Sequence, residues 1–368
     1  MHGRGRRGRG ARLRGRGDAL RGAGEAALSP LDQTLLTTWW HLVAHRSELA
    51  ESGAFLRLDW ALGDLVLHND EGQIIAFDNV CPHRGARFFV EDHGVGRAVC
   101  PYHGWSYRGG QVRVPLAKTF PPGALDKVGL RRFQTAWCGD FLFVGIEPAQ
   151  DLPTQLAGAF APLAEVSTRI AGRRDFNAFE FQSDWRVAVE NALESDHVNP
   201  VHPRTLAPLG LQDDAIVFDG PNTTYAAHIT DSRTLRGLKT MGRFFEAEGA
   251  YRGYWTIYVF PFAMVSSTFG YSYSLQTFLP SATPHRAHFC SRQLAGKVKP
   301  GYEAAVAAFL DSSARVNRQI FDEDHAICAR VSPHYDLTSA DRVFSPGEAR
   351  VARLHAILTA MTNQEDLP

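Results

Sequence analysis

The chain has 368 residues, 44% of them hydrophobic and 11% aromatic, a length at which two cores are expected rather than one. Its 39 basic residues balance 39 acidic ones, so no net charge directs it to nucleic acid or an anionic membrane. No apolar run reaches the roughly eighteen residues of a spanning helix, and five cysteines without a disulfide pattern predict a reducing, cytoplasmic location.

The charge balance is uneven along the chain. Residues 1–24 carry eight Arg and one Asp, leaving 31 basic against 38 acidic residues in a mildly acidic body. So rich in Arg and Gly, and so poor in apolar side chains, residues 1–30 are predicted to be a disordered tail. Such a segment can act as a nucleic-acid arm, but a tail without a role, or an upstream start, is the simpler reading. Arg6-Arg7 is not followed by the apolar segment of an export signal. From Leu31 to Ala50 helical and extended signals mix. From Phe55 the pattern becomes β: Phe55 to Leu58, Asp64 to His68, a turn at Asn69-Asp70-Glu71-Gly72, Gln73 to Phe77, and a closing strand at Gly139 to Gly145. These strands predict an all-β first domain over 31–146, a linker at Glu147 to Pro153, and a second domain over 154–368.

Within the first domain two short loops stand out, Cys81-Pro82-His83-Arg84-Gly85 and Cys100-Pro101-Tyr102-His103-Gly104-Trp105, with sixteen residues between the pairs. Each offers one thiolate and one imidazole. A [2Fe-2S] cluster held by two Cys on one iron and two His on the other needs that supply from two facing loops. A single zinc ion is the competing reading, but structural zinc sites draw ligands from C-x2-C and H-x3-H units, and C-x-H is tight for one tetrahedral ion. Residues 81–105 resemble the Rieske signature, with Cys81, His83, Cys100 and His103 as its cluster ligands.

The second domain carries another constellation. Ser183-Asp184 supplies an N-cap for a helix from Trp185 that is predicted to run until Pro200. On it Glu190, Glu194 and His197 fall at i, i+4 and i+7, on one face, with Asn191 beside them. The turn at Asn199-Pro200 can return His202 to His197, which a shared metal requires. Two imidazoles and one carboxylate on one face of an iron leave positions for oxygen and substrate. The segment Glu190 to His202 is similar to the acidic-x-x-His-x4-His motif of Rieske non-haem iron oxygenases, whose catalytic (alpha) subunits place the Rieske domain first and the iron domain second. The resemblance covers roughly residues 31–335.

That resemblance implies an α+β protein: an N-terminal all-β Rieske [2Fe-2S] domain followed by a helix-on-antiparallel-sheet domain (helix-grip, START-like) holding a mononuclear Fe(II). It implies a third iron ligand from a C-terminal helix, for which Phe321-Asp322-Glu323-Asp324 is the match. Neighbours on a helix point about 100° apart, so one acid is expected to face the metal. Asp324 is preferred and Asp322 is the alternative. By the same resemblance Glu194 bridges His197 to His103 of an adjacent chain in a head-to-tail homotrimer, with Asp196 pointing away. A Glu there, in place of the commoner Asp, departs from the family pattern. Electrons would come from NAD(P)H through a separate reductase or ferredoxin, since no G-x-G-x-x-G dinucleotide motif opens a helix after a strand here.

The implied activity is hydroxylation or oxidative demethylation of a small organic substrate, aromatic ones included, with ring dihydroxylation as an alternative. The aromatic-rich stretch Tyr251 to Ser291 reads as consecutive strands covering the iron helix, whose aromatics serve first as core and secondarily as pocket wall. Two other classes stay open at this level. One is a Rieske electron carrier without a catalytic iron, the other a zinc-dependent binding module.

Overall fold

The computed structural model describes residues 28–246 and 250–363. The Arg/Gly-rich opening expected to be disordered lies outside the described residues up to residue 27, but its expected boundary at residue 30 is too late. Leu28 is buried, and the Ser29 hydroxyl accepts from the Asp32 N–H to cap α1 (Pro30–Thr38). A proline in the first turn of that helix costs no hydrogen bond and fixes φ where the helix needs it.

The first sheet follows. Its strands are β1 (His41–His45), β2 (Ala54–Trp60), β3 (Gly63–Asp70), β4 (Gln73–Asp78) and the short β5 (His93–Val95). A separate hairpin, β6 (Ser106–Arg108) with β7 (Gln111–Arg113), precedes β8 (Arg132–Cys138) and β9 (Phe141–Gly145). The antiparallel order is β1-β9-β8-β4-β3-β2-β5. The turn expected over 69–72 is tighter than predicted: Asp70 pairs with Gln73, so only Glu71 (φ 55°) and Gly72 (φ 98°) form the loop. Two left-handed residues make the turn whose twist matches its strands, and the Asn69 carboxamide oxygen accepts from the Gly72 N–H across it.

The second half opens with α2 (Leu152–Leu156), α3 (Phe160–Ser167) and the long strand β10 (Ile170–Phe181). Then come α4 (Trp185–Leu193), α5 (Val198–Val201), β11 (Leu211–Asp219), β12 (Asn222–Ile229) and α6 (Ser232–Met241). Four consecutive strands, β13 (Tyr254–Val259), β14 (Ala263–Thr268), β15 (Ser272–Pro280) and β16 (Ala287–Gly296), lead to α7 (Glu303–Cys328) and α8 (Ala349–Asn363). The sheet order is β10-β16-β15-β14-β13-β12-β11. α7 lies on this sheet against β10, β15 and β16 and also packs on α4. This is the expected helix-on-antiparallel-sheet arrangement.

The strands fill both faces of the second sheet by alternation. In β15, Tyr273 and Leu275 join Trp255, Ile257 and Leu163 on one face, while Ser272, Ser274 and Gln276 face the other way, toward α7. The two sheets are not independent cores. One apolar cluster runs from Leu35, Val43 and Leu56 through Trp185 to Phe260, Phe289 and Leu354. Trp39 meets Phe260 edge-on at 4.7 Å, and the Trp185 indole N–H donates to Asp32 at 2.8 Å. Buried Arg292 on β16 donates to the Val43 carbonyl on β1 at 2.6 Å. Among the described residues, no helix is long and apolar enough to cross a membrane.

Candidate metal centres and active site

The two Cys-His loops are built alike. In each, the Cys N–H donates to the carbonyl five residues on (Ala86, Trp105), and the Gly four residues on (Gly85, Gly104) donates back to the Cys carbonyl, at 2.7–3.0 Å. Both glycines take positive φ, 75° and 70°, which closes the turn so that Cys and His side chains leave it on the same side. Cys81 and Cys100 are buried with their thiols in contact, and burial raises the Cys81 pKa. The imidazoles pair separately, His83 against His103 at 4.6 Å, with His83 stacked on Trp105. Thiols on one side and imidazoles on the other is the donor arrangement of a two-iron cluster with S and N ends. His83 Nδ1 is buried and makes no hydrogen bond, as a ligand nitrogen would. His103, by contrast, is exposed.

The second centre forms where α4 ends. Against expectation, the helix from Trp185 does not reach Pro200; it stops at Leu193, and Glu194 is extended (φ −122°, ψ 169°). The reason is local: the Glu194 carboxylate accepts from the Asp196 and His197 N–H groups, capping a new turn that leads into α5. Pro200 sits inside α5, in the first turn where a proline is tolerated. Glu190, Glu194 and His197 therefore do not share a helix face. Glu190 instead binds Arg342 through both oxygens, at 2.7 and 2.8 Å. Asp196 points away, as expected, and accepts from Ser345.

His197, His202 and Asp324 converge, with one ligand atom from each within 4.8 Å of the others. Asp324 Oδ1 is 2.9 Å from His202 Nε2 and 3.5 Å from His197 Nε2, and it also accepts from Asn191 Nδ2 at 2.8 Å. Asn191 is thus a positioning residue for the carboxylate. Asp322 is exposed on the outer face of α7. The outer nitrogens are held as well: His197 Nδ1 by Glu194, and His202 Nδ1 by Glu323 at 2.8 Å. Glu323 in turn accepts from Thr205 and Gln319. Two Nε2 atoms and one carboxylate facing inward, with each imidazole fixed by an outer carboxylate, is a donor set suited to a non-haem Fe(II). Glu323 was not singled out by sequence reasoning; its only signal was its place between the two weighed acids.

Electrostatics follow this geometry. Burial disfavours charge on His197, but Asp324 and Glu194 outweigh it and raise its pKa to about 9. His202 is likewise raised against its burial by Asp324 and Glu323. Burial would raise both Asp324 and Glu323, yet hydrogen bonds from the imidazoles, and from Thr205 to Glu323, hold both below the usual carboxylate range.

A cavity of about 330 Å3 opens beside this group and is lined by His197, Asp324, Asn191 and Glu194. The aromatics of residues 251–291 are core first, as expected, and of them Tyr254 alone lines the cavity. Trp255 and Tyr273 face the opposite side of the sheet; the sheet side of the wall carries Thr256, Ser266, Ser274, Gln276 and Gln293, while Leu206, Leu238, Phe309 and Ile320 make much of the rest apolar. The alternation Ser272-Tyr273-Ser274-Leu275-Gln276 in a fully buried strand is the sequence signal for it.

Residues 39–124 match the Rieske [2Fe-2S] domain family, and residues 169–364 match the ring hydroxylating alpha subunit (catalytic domain) family. The chain is 33% identical over 225 residues to a glycine betaine monooxygenase oxygenase subunit of Chromohalobacter salexigens, covering 55% of this chain and 48% of that one. It is 29% identical over 174 residues to the carnitine monooxygenase oxygenase subunit of Escherichia coli, covering 45% and 46%. The chain thus spans about half the length of the curated relatives it matches. Among solved structures, the quaternary ammonium Rieske monooxygenase CntA with L-carnitine superposes with TM-score 0.68 at 16% identity, over 88% of this chain and 89% of that one. Naphthalene 1,2-dioxygenase with indole bound gives 0.69 at 16%, over 91% and 90%. At such identities these likenesses establish the fold.

Proposed function

Because the chain belongs to the ring-hydroxylating alpha-subunit family, with a Rieske domain ahead of its catalytic domain, we propose that it is the oxygenase component of a Rieske non-haem iron enzyme. It hydroxylates or oxidatively demethylates a small organic substrate with O2 and externally supplied electrons. The observation that carries this is the convergence of His197, His202 and Asp324 beside a substrate-sized cavity that His197 and Asp324 line. A structural second domain in an electron carrier has no need of such a group.

Cys81, His83, Cys100 and His103 would hold the [2Fe-2S] cluster, and His197, His202 and Asp324 the mononuclear Fe(II). When bound, the pair supplies one-electron transfer and O2 activation. The chain's own residues do the rest. Glu194 and Glu323 fix which nitrogen of each imidazole faces inward. Asn191 holds Asp324 in place. The cavity orients a substrate against these groups, and the buried strands behind it exclude water.

Electrons come from NAD(P)H through a separate reductase or ferredoxin. His103 of a neighbouring chain, Glu194 and His197 would lie between the two metal centres in a ring-closing homotrimer. In support, His103 and Tyr102 are exposed beside the cluster loop, and Glu194 already holds His197. Demethylation is favoured over ring dihydroxylation by the relatives that act on glycine betaine and carnitine.

The deciding experiment is iron, acid-labile sulfide and zinc per chain on anaerobically purified protein. About three irons and two sulfides fit this reading; about two and two, unchanged after ferrous iron is added, would leave an electron carrier. Zinc without sulfide would remove both.

A further inference from the structure

Arg350 lies in the first turn of α8, is 3% exposed, and lines the same cavity as His197 and Asp324. Its Nη1 donates to the Thr256 hydroxyl at 3.0 Å, and its guanidinium lies 4.5 Å over the ring of Tyr225. Both are neutral partners. Partly buried Arg342, nearby in sequence, is neutralised by both oxygens of Glu190. Arg350 makes no ion pair of that kind among the described residues. Of the acids that act on it from further away, Asp213 accepts from the Tyr225 phenol, and Glu194 is committed to His197 and the turn behind it.

Three costs therefore fall on one side chain. It is buried, it lacks a carboxylate, and as a cation it sits at the positive end of a helix. Burial lowers its pKa to about 10, which leaves it charged at neutral pH. A guanidinium has five N–H donors in a planar fork that matches a carboxylate, and one of them serves Thr256. The sheet side of the cavity carries neutral hydroxyls and amides, Ser266, Ser274 and Gln276 among them, and its two carboxylates, Glu194 and Asp324, are already held by the imidazoles.

We infer that Arg350 anchors a carboxylate of the substrate, which makes the substrate class small organic acids whose oxidised carbon is presented to the His197, His202 and Asp324 end of the cavity. This rests on the oxygenase reading and narrows it. It gives the polar wall a purpose, as hydrogen-bonding support for an acid group. It also assigns the face of Tyr225, which the guanidinium already covers, to Arg350 rather than to a substrate cation.

The test uses the iron-loaded holoenzyme without oxygen and two matched pairs of probes: glycine betaine with its carboxamide, and 4-methoxybenzoate with 4-methoxybenzamide. Calorimetric titration should show at least one carboxylate binding, with its amide at least about tenfold weaker. Arg350→Gln should abolish that preference at unchanged iron and sulfide content. Arg350→Lys, which keeps the charge but not the fork, should retain it at reduced affinity. Wild-type protein that binds neither carboxylate by roughly 10 mM, or binds acid and amide alike, overturns the inference, as does a preference that survives in Arg350→Gln. If Arg350→Gln does not fold, the wild-type pairs still decide. Iron and sulfide on the same sample separate the two readings: missing iron removes the oxygenase, whereas normal iron with indifference to the carboxylate removes only this anchor.

Discussion

Glu323 and Asp324, consecutive residues on α7, hold opposite nitrogens of one imidazole: His202 Nδ1 lies 2.8 Å from the first and its Nε2 2.9 Å from the second. Neighbouring side chains on a helix diverge by about 100°, and here they reach the two sides of one ring. The first fixes the tautomer; the second completes the metal group. His197 is held the same way between Glu194 and Asp324.

Glu323→Gln should weaken Fe(II) binding by roughly ten- to a hundredfold, because an outer carboxylate raises the basicity of the ligand it holds. Competition with a chelator measures it. The Rieske visible spectrum should be unchanged, since the cluster loops lie in the other sheet. An unaltered iron affinity would remove Glu323 from the site.

Asp324→Ala should lose the mononuclear iron while keeping about two irons and two sulfides per chain. Asp322→Ala, altering an exposed side chain, should keep all of them. Metal analysis of the two variants side by side is the check, and iron loss in Asp322→Ala would reverse the assignment.

In the metal-free protein the His197 pKa is raised from 6.5 to about 9. A raised folded value means that the protonated pair stabilises the metal-free fold fully below 6.5, a contribution lost as pH rises through about 9. An iron ligand must be the neutral imidazole, so uptake releases this proton. Apparent Fe(II) affinity should rise by about tenfold per pH unit across that window. Titrations of metal-free protein at several pH values test it, and a flat profile would contradict the pairing.

Glu194→Gln should still load both metals when Fe(II) is in excess, with an iron affinity lowered as for Glu323→Gln, yet lose substrate-coupled turnover with the reductase. The expected measurement is normal iron and sulfide with reduction of the mononuclear site by the cluster slowed. Full activity would dismiss the bridge.

Asp32→Ala should destabilise the chain by about 1–3 kcal/mol, since it leaves the buried Trp185 indole N–H without its acceptor. A lowered denaturant midpoint is the readout; Asp32→Asn, which keeps an acceptor oxygen, should cost less.

Much of this was legible in the sequence wherever the chemistry is local. The cluster loops declare themselves because their ligands sit two and three residues apart, and their glycines mark the turns. The pair His197 and His202 is legible for the same reason. What was not legible depends on partners far along the chain. Glu190 reads as a third acid on the helix face until Arg342, about 150 residues away, claims it. The end of α4 was misread because Ala, Leu and Glu all favour helix; the break comes from what the Glu194 side chain does with the next backbone N–H groups. Glu323 was hidden because the imidazole it holds, His202, lies 121 residues away in the chain. Arg350 was hidden because a basic residue in a C-terminal helix looks like surface until the fold turns it inward.

The apolar cluster that joins Leu35, Val43 and Leu56 to Trp185, Phe260 and Leu354 makes the Rieske half a poor candidate for transplantation. Cutting the chain near Gln150 would uncover Trp39 and Val43 on one fragment and Phe260 and Arg292 on the other. A chimaera that exchanges this half for that of a relative must carry a matching surface with it. Regulation by one half swinging on the other would have to break this shared core.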